Sequence, residues 1–368
     1  MKTVENAGYL TQQLITYLGN KRSLLAKILD VVEQVKTRLG KEKLRSFDVF
    51  SGSGVVSRAL KAHSSLVVCN DLELYAAIAG RCYLTNRSDV DLPQLAEIIA
   101  DLNARVLTEP LPRGFIEELY APADAENITR DDRVFYTPEN ARRLDNYRRL
   151  IDTTPAELRD LLLAPLLSEA SVHANTSGVF KGFHKNKKTK VGQFGGSGKD
   201  ALLRILGEIV LAVPVLSDYE CESRVLQGDA NVVAREVRTM DLAYIDPPYN
   251  QHPYGSNYFM LNLVASYERP SQVSKVSGIP TDWQRSGYNV KAKSLELFTD
   301  LVENIDASHL LISFNDEGFI SPAEMDAMLG RVGQVDRIEI PYNAFRGSRS
   351  FANRPIHVKE LLFLVERG

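Results

Sequence analysis

The sequence predicts an α/β protein: a doubly wound, mostly parallel sheet interrupted by a mainly helical insertion. Three observations predict it. Ser46-Phe47-Asp48-Val49-Phe50 is a short apolar strand signal that runs through Ser51-Gly52-Ser53-Gly54 into the helical run Val55-Val56-Ser57-Arg58-Ala59-Leu60. A second apolar run, Leu242-Ala243-Tyr244-Ile245, ends abruptly in Asp246-Pro247-Pro248-Tyr249. Between about residues 85 and 223 the alternation of strand and helix gives way to helix-like runs with few strand signals.

In chain order, residues 24–39 carry the spacing of an amphipathic helix ahead of the first strand. Leu66-Val67-Val68-Cys69-Asn70 is the next strand-like run and ends in Asp71. The central region reads as helices over residues 92–107, 140–151, 156–174 and 199–213. Val225-Leu226-Gln227-Gly228 is a strand ending in Asp229. Residues 270–288, with Gly278, Pro280, Trp283 and Gly287, read as a mobile loop. A helix over 289–305 then leads into the strand His309-Leu310-Leu311-Ile312-Ser313-Phe314. Glu360-Leu361-Leu362-Phe363-Leu364-Val365 closes the sheet as an antiparallel strand.

The motif at residue 246 has the makings of a pocket for a flat, amino-bearing ring. Ligands bind at strand ends in open α/β sheets, the prolines stiffen the backbone and leave carbonyls free, and Tyr249 offers a stacking face. Asp246 can accept a hydrogen bond from an exocyclic amine. The same residues also read as a turn after a strand. The glycine turn lets the backbone approach a ligand beside the free amides of a helix amino terminus. Its spacing departs from the dinucleotide fingerprint, because Ser57 rather than Gly stands three residues after Gly54. An acid about 20 residues on, Asp71, suits ribose hydroxyls, although it serves equally as a helix N-cap. Asp229 stands at a third strand end, where the adenine of the same ligand would lie.

With these pieces the chain resembles the adenine-specific, amino-methylating DNA methyltransferases of the alpha group, the Dam-like and FokI-type modification enzymes of the D12 class. Four motifs carry the resemblance in the family's order: Tyr17-Leu18-Gly19-Asn20-Lys21-Arg22, Phe50-Ser51-Gly52-Ser53-Gly54, Asp71, and Asp246-Pro247-Pro248-Tyr249. The resemblance implies an S-adenosylmethionine-dependent methyltransferase fold, with residues 1–84 and 221–368 as the catalytic domain. Residues 85–220 would form the target-recognition insertion. It places Phe50, Gly52 and Gly54 around the methionine part of S-adenosylmethionine, Asp71 on its ribose and Asp229 near its adenine. Tyr17, Asn20 and Lys21 would close over the cofactor, although a lone lysine is also an ordinary solvated helix start. Asp246 and the Pro247 carbonyl would hold the target amine, with Pro248 shaping the pocket and Tyr249 stacking on a base flipped out of the duplex.

The chain of 368 residues, with 44% hydrophobic content, suits a catalytic domain with an insertion. It shows no signal peptide, and the run at residues 161–167 is too short to span a bilayer, so a cytoplasmic protein without membrane attachment is expected. The three cysteines have no metal-ligand spacing, so neither a metal nor a disulfide framework is indicated.

The net charge of −3 does not announce a nucleic-acid binder, but local charge does. Residues 179–199 carry Lys181, Lys185, Lys187, Lys188, Lys190 and Lys199 without an acid, interleaved with Phe180, Phe183, His184 and Phe194. That suits a loop facing double-stranded DNA, with lysines on phosphates and an aromatic wedge, or else a solvated glycine-rich linker. Arg346 and Arg349, with Arg354, form a second acid-free cluster that reads equally as a phosphate contact or an exposed hairpin loop. Tyr254 and Tyr258 follow the active-site strand and are expected to line the mouth of the base pocket or to pack in the core. Arg142, Arg143, Arg148 and Arg149 add charge to the insertion, more often as solvated residues than as contacts.

The function expected is methyl transfer from S-adenosylmethionine to the N6 amine of adenine in double-stranded DNA. Transfer to the N4 amine of cytosine is the near rival, and an RNA or protein-amide acceptor a more distant one. A nicotinamide oxidoreductase would share the glycine turn and Asp71 but not the Asp-Pro-Pro-Tyr motif. A non-catalytic DNA-binding module would need only the basic segments. A cognate restriction endonuclease is one partner the resemblance allows; the target sequence and the choice of monomer or homodimer stay open.

Overall fold

In the computed structural model the described residues are 4–196, 201–316, 318–343 and 357–368. Seven strands form one sheet: β1 (Leu44–Asp48), β2 (Ser64–Asp71), β3 (Glu222–Gln227), β4 (Met240–Ile245), β5 (Ala307–Asn315), β6 (Gln334–Asn343) and β7 (His357–Glu366), in the order β3-β2-β1-β4-β5-β7-β6. Contacts among β1 to β5 are parallel, whereas β7 runs antiparallel to both β5 and β6. The chain leaves β1 toward β2 and β3 on one side, then returns to β4 and β5 on the other. The reversal lies between β1 and β4, and the crevice beyond their carboxyl ends is where such a sheet binds ligands.

Period-two alternation splits the strand residues between two apolar layers. Phe47, Val68, Ala243, Leu310 and Phe363 face the helices Ala230–Glu236, Lys291–Asn304 and Pro322–Leu329. Leu44, Val67, Leu242, Leu311 and Leu362 face the helix Leu25–Leu39. That helix buries Ile28, Val31, Val32 and Val35, one stripe at 3.6-residue spacing, and stops at Gly40, whose φ of 62° makes the left-handed cap.

The helical insertion contains Leu92–Thr108, Phe115–Tyr120, Pro138–Asp152 and Arg159–Val172. Asp91 and Thr137 start two of these helices by accepting from the Gln94 and Asn140 amides. Among the described residues the insertion has no separate core. Its Leu102, Leu144, Tyr147 and Leu166 share one apolar cluster with Tyr75 and Ile78 of Leu74–Leu84 and with Phe259 and Met260 of Phe259–Ser266.

One expectation is corrected and one strand is added. The helix expected over 199–213 is reduced to Leu202–Leu206 within the described residues, because Gly207 turns extended and ends it. Beyond it Ile209 and Leu211 are buried while Val210 and Ala212 are exposed, and their amides donate to Asn140 and Asn103 side chains instead of to a helical turn. Strand β6 was not foreseen; its segment Gln334-Val335-Asp336-Arg337 is rich in charge, as an edge strand tolerates. No helix among the described residues is long and apolar enough to cross a membrane.

Candidate active site

The ends of β1, β2 and β4 open into a cleft lined by Tyr17, Asn20, Lys21, Phe50, Gly52, Asp71, Asp229, Asp246, Pro248 and Tyr254, among others. Residues from four distant motifs thus meet at one switch point.

The glycine turn is built by backbone conformation and close approach. Gly52 has φ +51°, and a Cβ there would lie 2.9 Å from the Tyr17 ring. Its amide donates to Asp71 Oδ2 at 2.7 Å, while Asp71 Oδ1 accepts from Glu73 N at 2.9 Å. Asp71 therefore ties the turn to the end of β2, and the cap residue of the following helix is Glu73. Gly54 does not line the cleft; at φ 72° it is the left-handed N-cap of the helix Val55–Lys61. Asp229 both lines the cleft and caps the helix Ala230–Glu236, accepting from the Asn231 and Val232 amides.

The segment around Gly19 crosses this turn as a strap. Tyr17, Tyr254 and Tyr258 form a cluster of near-parallel rings, with Tyr17 5.0 Å and 11° from Tyr254 and 4.9 Å and 14° from Tyr258. The Leu18 amide donates to the Tyr258 hydroxyl at 2.7 Å, and the Leu18 carbonyl accepts from the Tyr254 hydroxyl at 3.1 Å. Lys21 ends the strap beneath the surface, only 6% exposed, with Nζ 3.2 Å from Asp246 Oδ1 and in contact with Glu360 Oε1. It is no solvated helix start. Burial alone would lower its pKa, but Asp246, Tyr249 and Glu360 outweigh that and hold the ammonium charged.

Burial pushes the Asp246 carboxyl up to about 7, against the pull of Lys21 and with the help of Glu360. Tyr249 packs edge-on against Phe314, 5.7 Å between ring centres, and Lys21 Nζ lies 5.7 Å from its ring. Pro247 and Tyr249 flank the cleft without lining it. Tyr258 is a correction. It is fully buried in the tyrosine stack, with its hydroxyl used by Leu18, and so is a core residue rather than a DNA contact. Of the aromatics interleaved with the lysines, Phe180 is likewise core, packed on Phe135 and Phe259.

Lys181, Lys185, Lys187, Lys188 and Lys190 are all exposed. Lys185 bridges to Gly192, and Asn186 closes the tip by accepting from the Lys188 and Thr189 amides. Buried Asn175 anchors the root, donating to Val134 and Gln193 carbonyls and accepting from Gly195 N. The segment enters next to the active-site motif: the Phe180 amide donates to the Asn257 carbonyl at 2.7 Å, and Lys181 helps burial to lower the His252 pKa. The Arg142, Arg143 and Arg148 side chains are engaged internally with Glu117, Glu208 and Asp152. Arg346, Arg349, Arg354 and Lys199 lie outside the described residues.

Several cleft residues were missed by sequence reasoning. Asp48 Oδ2 accepts from Ser57 Oγ at 2.5 Å, while its buried Oδ1 has no partner; burial raises this carboxyl to about 7. Glu73, also raised to about 7 by burial and by Asp71, accepts from Asn262. Tyr288 lines the cleft, meets Phe50 edge-on at 5.3 Å and donates to Asn231 Oδ1. Asp48 stands two residues before Phe50 and could have been found; Tyr288 and Glu360 carry no local signal.

A family model of D12 class N6 adenine-specific DNA methyltransferases matches residues 17–328, which contain all four motifs. The chain belongs to this family. The methyltransferase is 27% identical over 344 residues to type II methyltransferase M.NlaIII of Neisseria lactamica, covering 91% of this chain and 94% of that protein. It is 27% identical over 356 residues to M.CviAII of Paramecium bursaria Chlorella virus 1, 95% and 98% of the two chains. It is 28% identical over 371 residues to modification methylase StsI of Streptococcus sanguinis, covering 95% of this chain but 52% of the relative. The activity is thus site-specific methylation of DNA adenine at N6, with S-adenosylmethionine as methyl donor, and the cytosine alternative is set aside. The cleft suits that donor: carboxylates at Asp48, Asp71 and Glu73 match a cationic amine and a ribose diol, and the Phe50–Tyr288 pair offers an apolar wall for its purine.

Proposed function

We propose that the methyltransferase presents a flipped adenine to the methyl donor through Asp246, Pro247 and Tyr249, with the strap and glycine turn holding the donor. The observation that carries this reading is the position of Asp246. Its carboxylate stands at a strand end in the cleft, with one oxygen engaged by buried Lys21. S-adenosylmethionine supplies a methyl already activated on a sulfonium, so the protein's task is to orient a weak nucleophile. Asp246 and the Pro247 carbonyl accept from the N6 amine, drawing its lone pair out of the ring, and Tyr249 stacks on the base. Ionised Asp246 is the form that accepts from the amine. Tyr17, Asn20, Lys21, Phe50, Gly52, Asp71 and Asp229 surround the donor, and Gly54 sets the turn that allows it. Extruding the base costs a few kcal/mol, which stacking and the two acceptors offset.

The exposed lysines from Lys181 to Lys190, with Tyr254 at the cleft mouth, form the DNA face of this reading, within a target-recognition segment spanning residues 85–220. Their exposure and their root beside Asn257 support it. The names of the type II and modification relatives support a role as the modification half of a restriction–modification pair acting on cytoplasmic DNA. DNA methylated by the enzyme should then resist an endonuclease of matching specificity, and continued cutting rejects the pairing. The site assignment is tested with Asp246→Ala: donor binding by calorimetry stays near normal while methyl transfer is lost, and near-normal turnover would sink it.

A further inference from the structure

The carboxylate of Asp246 is held by a charge cluster assembled from three distant parts of the chain. Lys21 Nζ reaches Asp246 Oδ1 from the strap and Glu360 Oε1 from β7. Glu360 Oε1 also accepts from Ser313 Oγ of β5 at 3.1 Å. Glu360 is 4% exposed and Ser313 fully buried, so neither partner is replaced by bulk water. One carboxylate would balance the lysine. The second leaves the cluster with a net negative charge, which a low-dielectric interior penalises, so its presence is not explained by charge balance.

Placement explains it better. A lysine side chain is a flexible stem carrying a point charge, and contact with Asp246 alone would let ammonium and carboxylate shift together. Glu360 sits on rigid backbone, paired with Asn315 of β5 on one side and Ile340 of β6 on the other. It fixes the ammonium from the sheet side and leaves Asp246 one set orientation. Glu360 also lies beyond residues 17–328, the part of the chain the family model covers.

We propose that Glu360 is a positioning residue for methyl transfer: with Ser313 it clamps the Lys21 ammonium, and through Lys21 it aims the Asp246 carboxylate at the target amine. The inference rests on the assignment of Asp246 above. Its negative charge also favours the protonated form of Asp246, opposite to Lys21. The other titratable groups around Asp246 are Asp48 from β1, Tyr244 from β4 and Tyr254 from the segment after the motif.

The test compares Glu360→Ala, Glu360→Gln and Asp246→Ala in the full chain by donor affinity, single-turnover methyl transfer to unmethylated genomic DNA, and the pH dependence of that rate. Glu360→Ala is expected to lose about 10²-fold in rate with donor affinity changed by less than about threefold, as for a misplaced catalytic group. Glu360→Gln keeps an acceptor for Lys21 and should recover most of the rate. With the charge gone, its acid limb should move to lower pH. A wild-type rate in Glu360→Ala overturns the proposal, as does a Glu360→Gln protein no faster than Glu360→Ala with its acid limb unmoved. Should Glu360→Ala not fold, the acid limb of Glu360→Gln decides alone. If Asp246→Ala stays active, the premise about Asp246 fails; if it is inactive while both Glu360 variants are normal, only the role of Glu360 is lost.

Discussion

On the proposed assignment, Asp246 governs the pH dependence of methyl transfer. Burial holds its carboxyl near 7, and the protonated form offers the target amine one fewer acceptor. Because this pKa is raised, the competent ionised form is populated above it. The single-turnover rate should therefore fall as pH drops through about 7, and Asp246→Asn should lose activity at every pH. A rate unchanged from pH 8 to pH 6 contradicts this role. Gly52 gives a second residue-scale expectation. Alanine there must adopt φ +51° and push its Cβ into Tyr17, so Gly52→Ala should destabilise the fold by about 1–2 kcal/mol and weaken donor binding, read by thermal melting and calorimetry. The polar cleft residues in contiguous motifs were legible in the sequence, because a turn, a strand end and an acid leave local marks. Glu360 and Tyr288 were not, since their roles come from register across the sheet and from a loop fold. Tyr258 shows the converse: its spacing after the motif resembles that of Tyr254, but only packing buries it beneath Tyr17.

At the scale of elements, the lysine-bearing turn from Lys181 to Gly192 is closed by its own backbone bonds, Asn186 N to Val191 O and Lys190 N to Asn186 O. Asn175 carries its root through the Gln193 carbonyl, the Gly195 amide and the His184 amide, and Asn186 closes its tip. Replacing Lys185, Lys187, Lys188 and Lys190 by alanine should weaken DNA binding and flatten its salt dependence by about 0.9 in log–log slope for each lysine on a phosphate. Donor affinity should not change. An unaltered salt slope would assign these lysines to solvent. Helices with an apolar stripe and a cap, such as Leu25–Leu39, were readable within a residue or two of their ends. The stretch after Gly207 was not, because Asn103 and Asn140 supply hydrogen-bond partners from elsewhere in the chain and let an apolar run stay extended.

For the whole molecule, the parallel half of the sheet followed from where acids and glycines stand at strand ends, and the antiparallel β7 from its late apolar run, whereas the strand order with its switch point is seen only in the fold. The β6 edge was hidden by its charges. The core shared by the helices between β2 and β3 and those packed on the sheet has a consequence: both parts should unfold together. Saturation with S-adenosylmethionine at about 100 times its dissociation constant should add about 2.7 kcal/mol to the whole transition, shifting one cooperative melt rather than splitting it. Two separate transitions would contradict the single core. The most direct measurement of the central claim uses labelled S-adenosylmethionine and unmethylated genomic DNA with the native protein and with Asp246→Ala, each first shown to bind the donor, followed by digestion to nucleosides. The expected result is label in N6-methyl-2′-deoxyadenosine for the native protein and none for the variant. Label in cytosine, or equal label from both proteins, would contradict the account.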